Sequence, residues 1–141
     1  MNRSGIQWWK FQLHSTGTPL TYSASGVVFE SAASSPCWYY MPSLAVNWAN
    51  VMVVGFSGSS ASNYVSAFYS GLKADGTPLA QPVLIQAGSA YYVPPSARWG
   101  DYSFTSVDPS DNQTLWTVQS YATSTSGYFW SDWIVSIRPG P

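Results

Sequence analysis

Turn-forming residues cut this chain into short runs from one end to the other, and no stretch of eleven or more residues carries an apolar stripe at the helical period of 3.6. β-Branched, aromatic, Ser and Gly residues fill the runs, which suits a pleated surface rather than a helix. The expectation is an all-β chain. At 141 residues it has the size of one domain. Charged residues are only 8% of it, against about 25% in an ordinary soluble domain. Ser, Thr, Asn and Gln supply the polarity, and aromatic residues reach 17%, with eight Trp and ten Tyr.

The runs can be placed one by one. In Ile6 to Leu13 the residues Gln7, Trp9, Phe11 and Leu13 share a mainly apolar face, opposite Ile6, Trp8, Lys10 and Gln12. After a Thr16-Gly17-Thr18-Pro19 turn, Gly26 to Ser31 reads as its partner strand. A four-stranded antiparallel unit follows, from about Tyr40 to Gly88. Its strands are Tyr40 to Asn47, the apolar inner run Val51 to Phe56, Tyr64 to Leu72 and Pro82 to Ala87. The turn Lys73 to Pro78 contains Asp75-Gly76, suited to positive φ, and a proline that ends the ladder. Beyond a linker at Ser89 to Ala97 the pattern restarts with Asp101 to Val107, Thr114 to Ala122 and Trp130 to Ile137, and no fourth strand follows.

The restart is a weak internal repeat. Ser43 to Asn47 and Val51 to Phe56 parallel Phe104 to Asp108 and Leu115 to Ser120, with Ser43 and Phe104 about 61 residues apart. Repeated four-stranded units build radial architectures, so the fold expected is a β-propeller fragment of about two blades. The division is a half blade at 1–37, a full blade at 38–88 and a blade lacking its outer strand at 89–141. A two-sheet sandwich is the rival.

The segment Arg98-Trp99-Gly100-Asp101-Tyr102-Ser103, continued by Ser106 to Asp111 and Leu115 to Tyr121, resembles bacterial sialidase-like, BNR-type β-propeller proteins. Met41 to Asn47 and Val54 to Ser60 resemble the preceding blade of that family, and the resemblance spans roughly residues 38 to 137. It implies the fold rather than the sialidase reaction. Those enzymes use an arginine cluster, a tyrosine nucleophile with a glutamate partner, and an aspartate acid/base. Here Arg3, Arg98 and Arg138 are the only arginines and Glu30 the only glutamate. The repeat turn Ser-x-Asp-x-Gly-x-Thr-Trp is echoed only in part, by Ser110 to Trp116 without its glycine.

Two blades do not close a ring. If strands run A to D outward from the axis, the chain reads C-D, A-B-C-D, A-B-C, and the N-terminal pair can lend its outer strand to the last blade. Exposed edges and aromatic faces mean association. The expected partner is the chain itself, in a closed homo-oligomer of two to four copies.

Site candidates are few. Asp101 leads, with Gly100 allowing close backbone approach and Arg98 supplying the countercharge; the plain alternative is a structural ion pair or turn cap. Arg98, Trp99, Asp101, Tyr102 and Trp130 form the candidate ligand-binding set. Asp108 and Asp111 flank Pro109 and either cap their turn or ligate a cation such as calcium. His14, the only histidine, is either a catalytic partner or an exposed loop residue, and it excludes a multi-histidine metal site within one chain. No Gly-x-Ser-x-Gly elbow occurs. Cys37 stands alone, so no intrachain disulfide forms, and it reads as a packed residue rather than a nucleophile.

Trp8, Trp9, Trp38, Tyr39, Tyr40, Trp48, Tyr91, Tyr92, Tyr128, Trp130 and Trp133 are too many for so small a core. They either stack on sugar rings or pack between blades and subunits. Two functions stay open. The first is a non-catalytic propeller fragment that forms a symmetric ring and binds a neutral ligand such as a glycan. The second is a metal-assisted hydrolase of esters, lactones or phosphotriesters, with a shared pocket and a divalent ion, calcium or zinc, as its cofactor. A net charge of -1 with no basic run argues against nucleic acid, and no apolar run reaches the roughly 20 residues of a membrane helix. No targeting signal is legible at Met1 to Gly5, so the chain as written is expected in the cytoplasm, with a longer, secreted parent as the alternative.

Overall fold

The computed structural model describes residues 3–15, 17, 19–32, 34–96, 98–124 and 129–139. Within them the chain is all-β, with nine strands in three antiparallel sheets. β1 (Ile6–Leu13) and β2 (Leu20–Val28) form a hairpin; β3 (Trp38–Val46), β4 (Met52–Ser59), β5 (Ser66–Leu72) and β6 (Pro78–Gln86) form a four-stranded meander. β7 (Phe104–Val107), β8 (Leu115–Ala122) and β9 (Trp130–Ile137) form a three-stranded one. Every strand pairs only with its neighbours in sequence, which keeps the contacts local.

Three strands start three or more residues away from the sequence reading, the other starts agreeing within two. β2 begins at Leu20 rather than Gly26, because the polar run Thr21 to Ser25 pairs with β1 across an open hairpin and needs no apolar alternation. There Phe11 sits opposite Tyr22, with ring centroids 6.4 Å apart. β6 begins at Pro78 rather than Pro82. It is an edge strand, where prolines cost no ladder hydrogen bond, and its register shifts repeatedly against β5. β7 begins at Phe104 rather than Asp101, since Gly100 at φ 71° bends the chain just before it. Thr16, Thr18, Ala97 and Tyr128, which figured in the expected turn, linker and aromatic set, lie outside the described residues.

The repeat is visible in the turns. Asn47 N–H donates to Val51 O at 3.0 Å and Asp108 N–H to Thr114 O at 2.7 Å. Each loop then uses an asparagine with positive φ, Asn50 at 58° and Asn112 at 56°, whose N–H bonds back to the carbonyl of Asn47 or Asp108. The second strands match one residue away from the sequence alignment. Val46 faces Met52 as Val107 faces Leu115, because the Asn47 side chain accepts the Val51 N–H at 2.9 Å and holds Val51 outside the ladder.

β4 is the centre of the molecule, and its alternation divides the core in two. Val54 and Phe56 face the hairpin and bury with Ile6, Tyr39 and Phe68. Tyr39 meets Phe56 and Phe68 edge-on, with centroids 4.8 and 5.4 Å apart. Val53 faces the other way, onto Leu115 and Ile137. β7 packs against β3 and β8 against β4, so the four-stranded sheet lies between the hairpin and the three-stranded sheet.

The second interface is unusually polar. Ser43 Oγ lies 2.8 Å from Thr105 Oγ1, Ser103 Oγ donates to Gln119 Oε1 at 2.8 Å, and Gln119 Nε2 donates to Thr117 Oγ1 at 2.8 Å and Ser43 Oγ at 3.1 Å. Gln119 and Thr117 are wholly buried, yet among the described residues no buried side-chain polar atom lacks a partner. A satisfied network of this kind fixes how the sheets register, because any slip would strand several donors. Gly55 makes room for it: a Cβ there would lie 2.0 Å from Thr117 Oγ1.

Candidate functional site

The linker from β6 to β7 crosses one end of this polar seam, and the seam fixes its central residue. Trp99 Nε1 donates to Ser57 Oγ at 3.1 Å, and Ser57 Oγ donates to Ser120 O at 3.0 Å. Ser57 is buried on β4 and Ser120 on β8. The Ser57 hydroxyl therefore links the two sheets and holds the indole at their seam. Tyr92 packs edge-on against that indole, with centroids 4.7 Å apart.

Around Trp99 the chain forms a shallow depression of about 70 Å³ lined by Tyr92, Arg98, Gly100, Asp101, Tyr102, Ser120 and Trp130. All five residues of the candidate binding set, Arg98, Trp99, Asp101, Tyr102 and Trp130, line it. Gly100 is needed at its floor, since its φ of 71° strains any other residue and a Cβ would meet the Met41 side chain. Met41 itself has φ 54° in a β3 bulge between Tyr40 and Ser43. Tyr102 and Trp130 stay exposed at the rim of the depression. An adjoining depression of about 270 Å³, with Tyr40, Val65, Val93 and Pro94 in its wall, shares Tyr92, Arg98 and Trp99.

Arg98 pairs with Asp101 at an exposed position. The two charges cancel locally and leave a rim of rings and neutral polar groups. On the wall, Ser120 Oγ donates to Asp132 Oδ1 at 2.7 Å. Tyr92 belongs to the surplus aromatic residues of the sequence, whereas Ser57 and Ser120 are not among its candidates; the spacing of inward residues on β4 and β8 is a signal for the serines, but which face meets the linker is set only by sheet packing.

The other candidates lie elsewhere. His14 follows β1 at the hairpin tip, with Nε2 2.7 Å from Thr21 Oγ1. The β1 residues before it border Asn50 and Ala74, at the opposite end of the sheets from Ser57 and Ser120. The chain does not bring His14 and Asp101 together. Asp108 accepts from Ser110 N at 2.8 Å and from Trp116 Nε1 at 2.9 Å. Asp111 accepts from Gln113 N and Thr114 N, both at 2.8 Å, and from Thr114 Oγ1 at 2.6 Å. The Thr114 hydroxyl, with the Gln113 and Thr114 amides, pulls the Asp111 carboxyl down to about 2, and Ser110 with Trp116 lowers that of Asp108. Both carboxylates act as turn caps within the chain. Among the described residues no group of three or more His, Cys, Asp or Glu gathers as metal ligands would.

Cys37 packs half-buried against the Tyr39 cluster, and burial, with Glu30 nearby, pushes its thiol up. That disfavours the thiolate a nucleophile needs. No helix among the described residues is long and apolar enough to cross a membrane. Comparison of the chain with protein-family models, with curated proteins and with solved structures finds no match in any of the three.

Proposed function

We propose that the chain is a non-catalytic β-propeller fragment, akin to the sialidase-like BNR-type family, which assembles into a symmetric homo-oligomeric ring and binds a neutral ligand such as a glycan. The observation that carries the binding role is the convergence of Trp99, Tyr102, Trp130, Arg98 and Asp101 on one depression. A void of about 70 Å³ is far below the ~300 Å³ at which enclosed small-molecule sites begin, so a ligand lies across the rim instead of inside it. Sugar rings suit such a surface: their C–H faces stack on indole and phenol, and their hydroxyls donate to a carboxylate and accept from a guanidinium. The order of strands within the four-stranded sheet and the packing of β7 on β3 and β8 on β4 support the propeller reading.

The test is a glycan array probed with the chain and with Trp130→Ala and Tyr102→Ala, both at exposed positions. Binding is expected to fall at least about tenfold in each variant, ~1.4 kcal/mol, with unchanged melting temperature. No bound glycan, or binding indifferent to both changes, would refute the role. Equilibrium sedimentation at micromolar concentration tests the ring; a monomer refutes it.

A further inference from the structure

The depression at Trp99 continues into the adjoining hollow of about 270 Å³, and the two share Tyr92, Arg98 and Trp99 as a common border. Their linings differ. The first holds a carboxylate, a serine hydroxyl and the exposed Tyr102 and Trp130 rings. The second is walled by Val65, Val93 and Pro94, and its two largest rings have their polar atoms already bonded: Tyr40 Oη donates to Ser59 Oγ at 2.9 Å and Trp99 Nε1 to Ser57 Oγ at 3.1 Å. What those rings have left to offer the hollow is carbon. The wall is also held in place. Ala122 N–H donates to Val65 O at 2.9 Å, and Ser89 N–H donates to Ala122 O at 2.9 Å. The linker that carries Tyr92, Val93 and Pro94 is thus tied at Ser89 and again at Trp99, so binding there has little chain to order. Yet Val93 is 65% exposed, and nothing among the described residues covers it.

We infer that this hollow takes a compact apolar aglycone: the ligand is a glycoside whose sugar lies across the Tyr102 and Trp130 rim and whose aromatic or branched-alkyl substituent sits against Val65, Val93 and Pro94. This rests on the glycan reading above and names the kind of glycan. A further sugar is the poorer occupant of the hollow, because its hydroxyls would exchange water for a wall of carbon and be left without partners. Size agrees. An apolar cavity of ~150 Å³ accepts benzene, and this hollow measures about 270 Å³. Arg98 borders both depressions and bonds Asp101 through one nitrogen, Nη2. Its other N–H groups are left for the oxygen that joins sugar to aglycone.

The experiment is isothermal titration calorimetry of the full chain with paired methyl and phenyl glycosides of glucose, galactose, mannose, fucose and N-acetylglucosamine. For a sugar that binds, the phenyl glycoside is expected to be at least about tenfold tighter than the methyl one, as follows from taking an apolar ring out of water. Val93→Asp, which sets a charge against that ring, is expected to cut the ratio below about threefold, and Val93→Leu, which keeps the wall apolar, to preserve it. The ratio is read within each variant, so a general weakening of the site cancels. Equal affinities in the wild type, a ratio indifferent to Val93→Asp, or array glycans that bind while no phenyl glycoside does, overturn the apolar hollow and leave the glycan reading standing. No binding of any glycoside or array glycan overturns both.

Discussion

Replacing Gly55 by alanine adds one methyl group at the tightest point of the seam between the two larger sheets. The new Cβ would lie 2.0 Å from Thr117 Oγ1 and 2.4 Å from Gln119 Nε2, both on wholly buried side chains. Neither can swing into solvent, so the sheets must part or the network must break. Overpacking of this kind costs about 1–3 kcal/mol. Displacing Gln119 loses its bonds to Ser103, Ser43 and Thr117, worth about 0.5–1.5 kcal/mol each. The expected destabilisation of Gly55→Ala is about 3–5 kcal/mol, a large share of the ~5–15 kcal/mol a domain has. Urea unfolding at fixed protein concentration measures it as a lowered midpoint. Thr117→Ala removes the nearest clashing atom and frees the Gln119 amide to move. The double variant should therefore be more stable than the sum of the singles, by about 1 kcal/mol or more. A single-variant cost under about 1 kcal/mol, or strict additivity, would refute the claim that this seam is closed by Gly55.

Three further expectations follow from named groups. Phe56→Ala empties the wholly buried centre of the Tyr39 cluster and should cost about 3–5 kcal/mol in the same unfolding assay; a cost below 1 kcal/mol would mean the hairpin side is not a core. Gly100→Ala, at φ 71°, should cost about 1–2 kcal/mol and weaken glycan binding by displacing Arg98 and Asp101; unchanged binding would separate the bend from the site. The carboxyls of Asp75, Asp108 and Asp111 are lowered in the folded chain, where an unfolded aspartate titrates near ~3.9. Their contribution is complete above about pH 5 and fades as pH falls through the folded values, that of Asp111 being about 2. Melting temperature should drop between pH 5 and pH 2, and less steeply in Asp111→Asn; parallel profiles would show that the Asp111 cap does not contribute.

Much of the chain was legible before any coordinates. Alternation in Ile6 to Leu13 and Tyr64 to Leu72, and turn chemistry at Asp75-Gly76 and Asp108 to Asn112, act over a few residues. Strands and turns obey such local rules whatever they pack against. The candidate binding set was legible for the same reason: four of its five members, Arg98 to Tyr102, are neighbours in the chain. What misled was also local, for the polar run Thr21 to Ser25 and the proline-bounded start of β6, Pro78 to Gln81, show no apolar alternation.

The partners of each face lay beyond the sequence. Nothing in the order of residues says that odd positions of β4 meet Thr117 and Gln119 while even ones meet Ile6, because that choice depends on how one sheet twists over another. Nor does it say that Trp99 reaches Ser57 from 42 positions away, or that His14 and Asp101 end up at opposite ends. The sequence determined an all-β chain with strands in a simple succession, since period and turn residues are read locally. Tertiary structure decided which faces are buried, which polar groups satisfy one another and where the aromatic rim gathers, since those depend on distances between segments far apart in the chain.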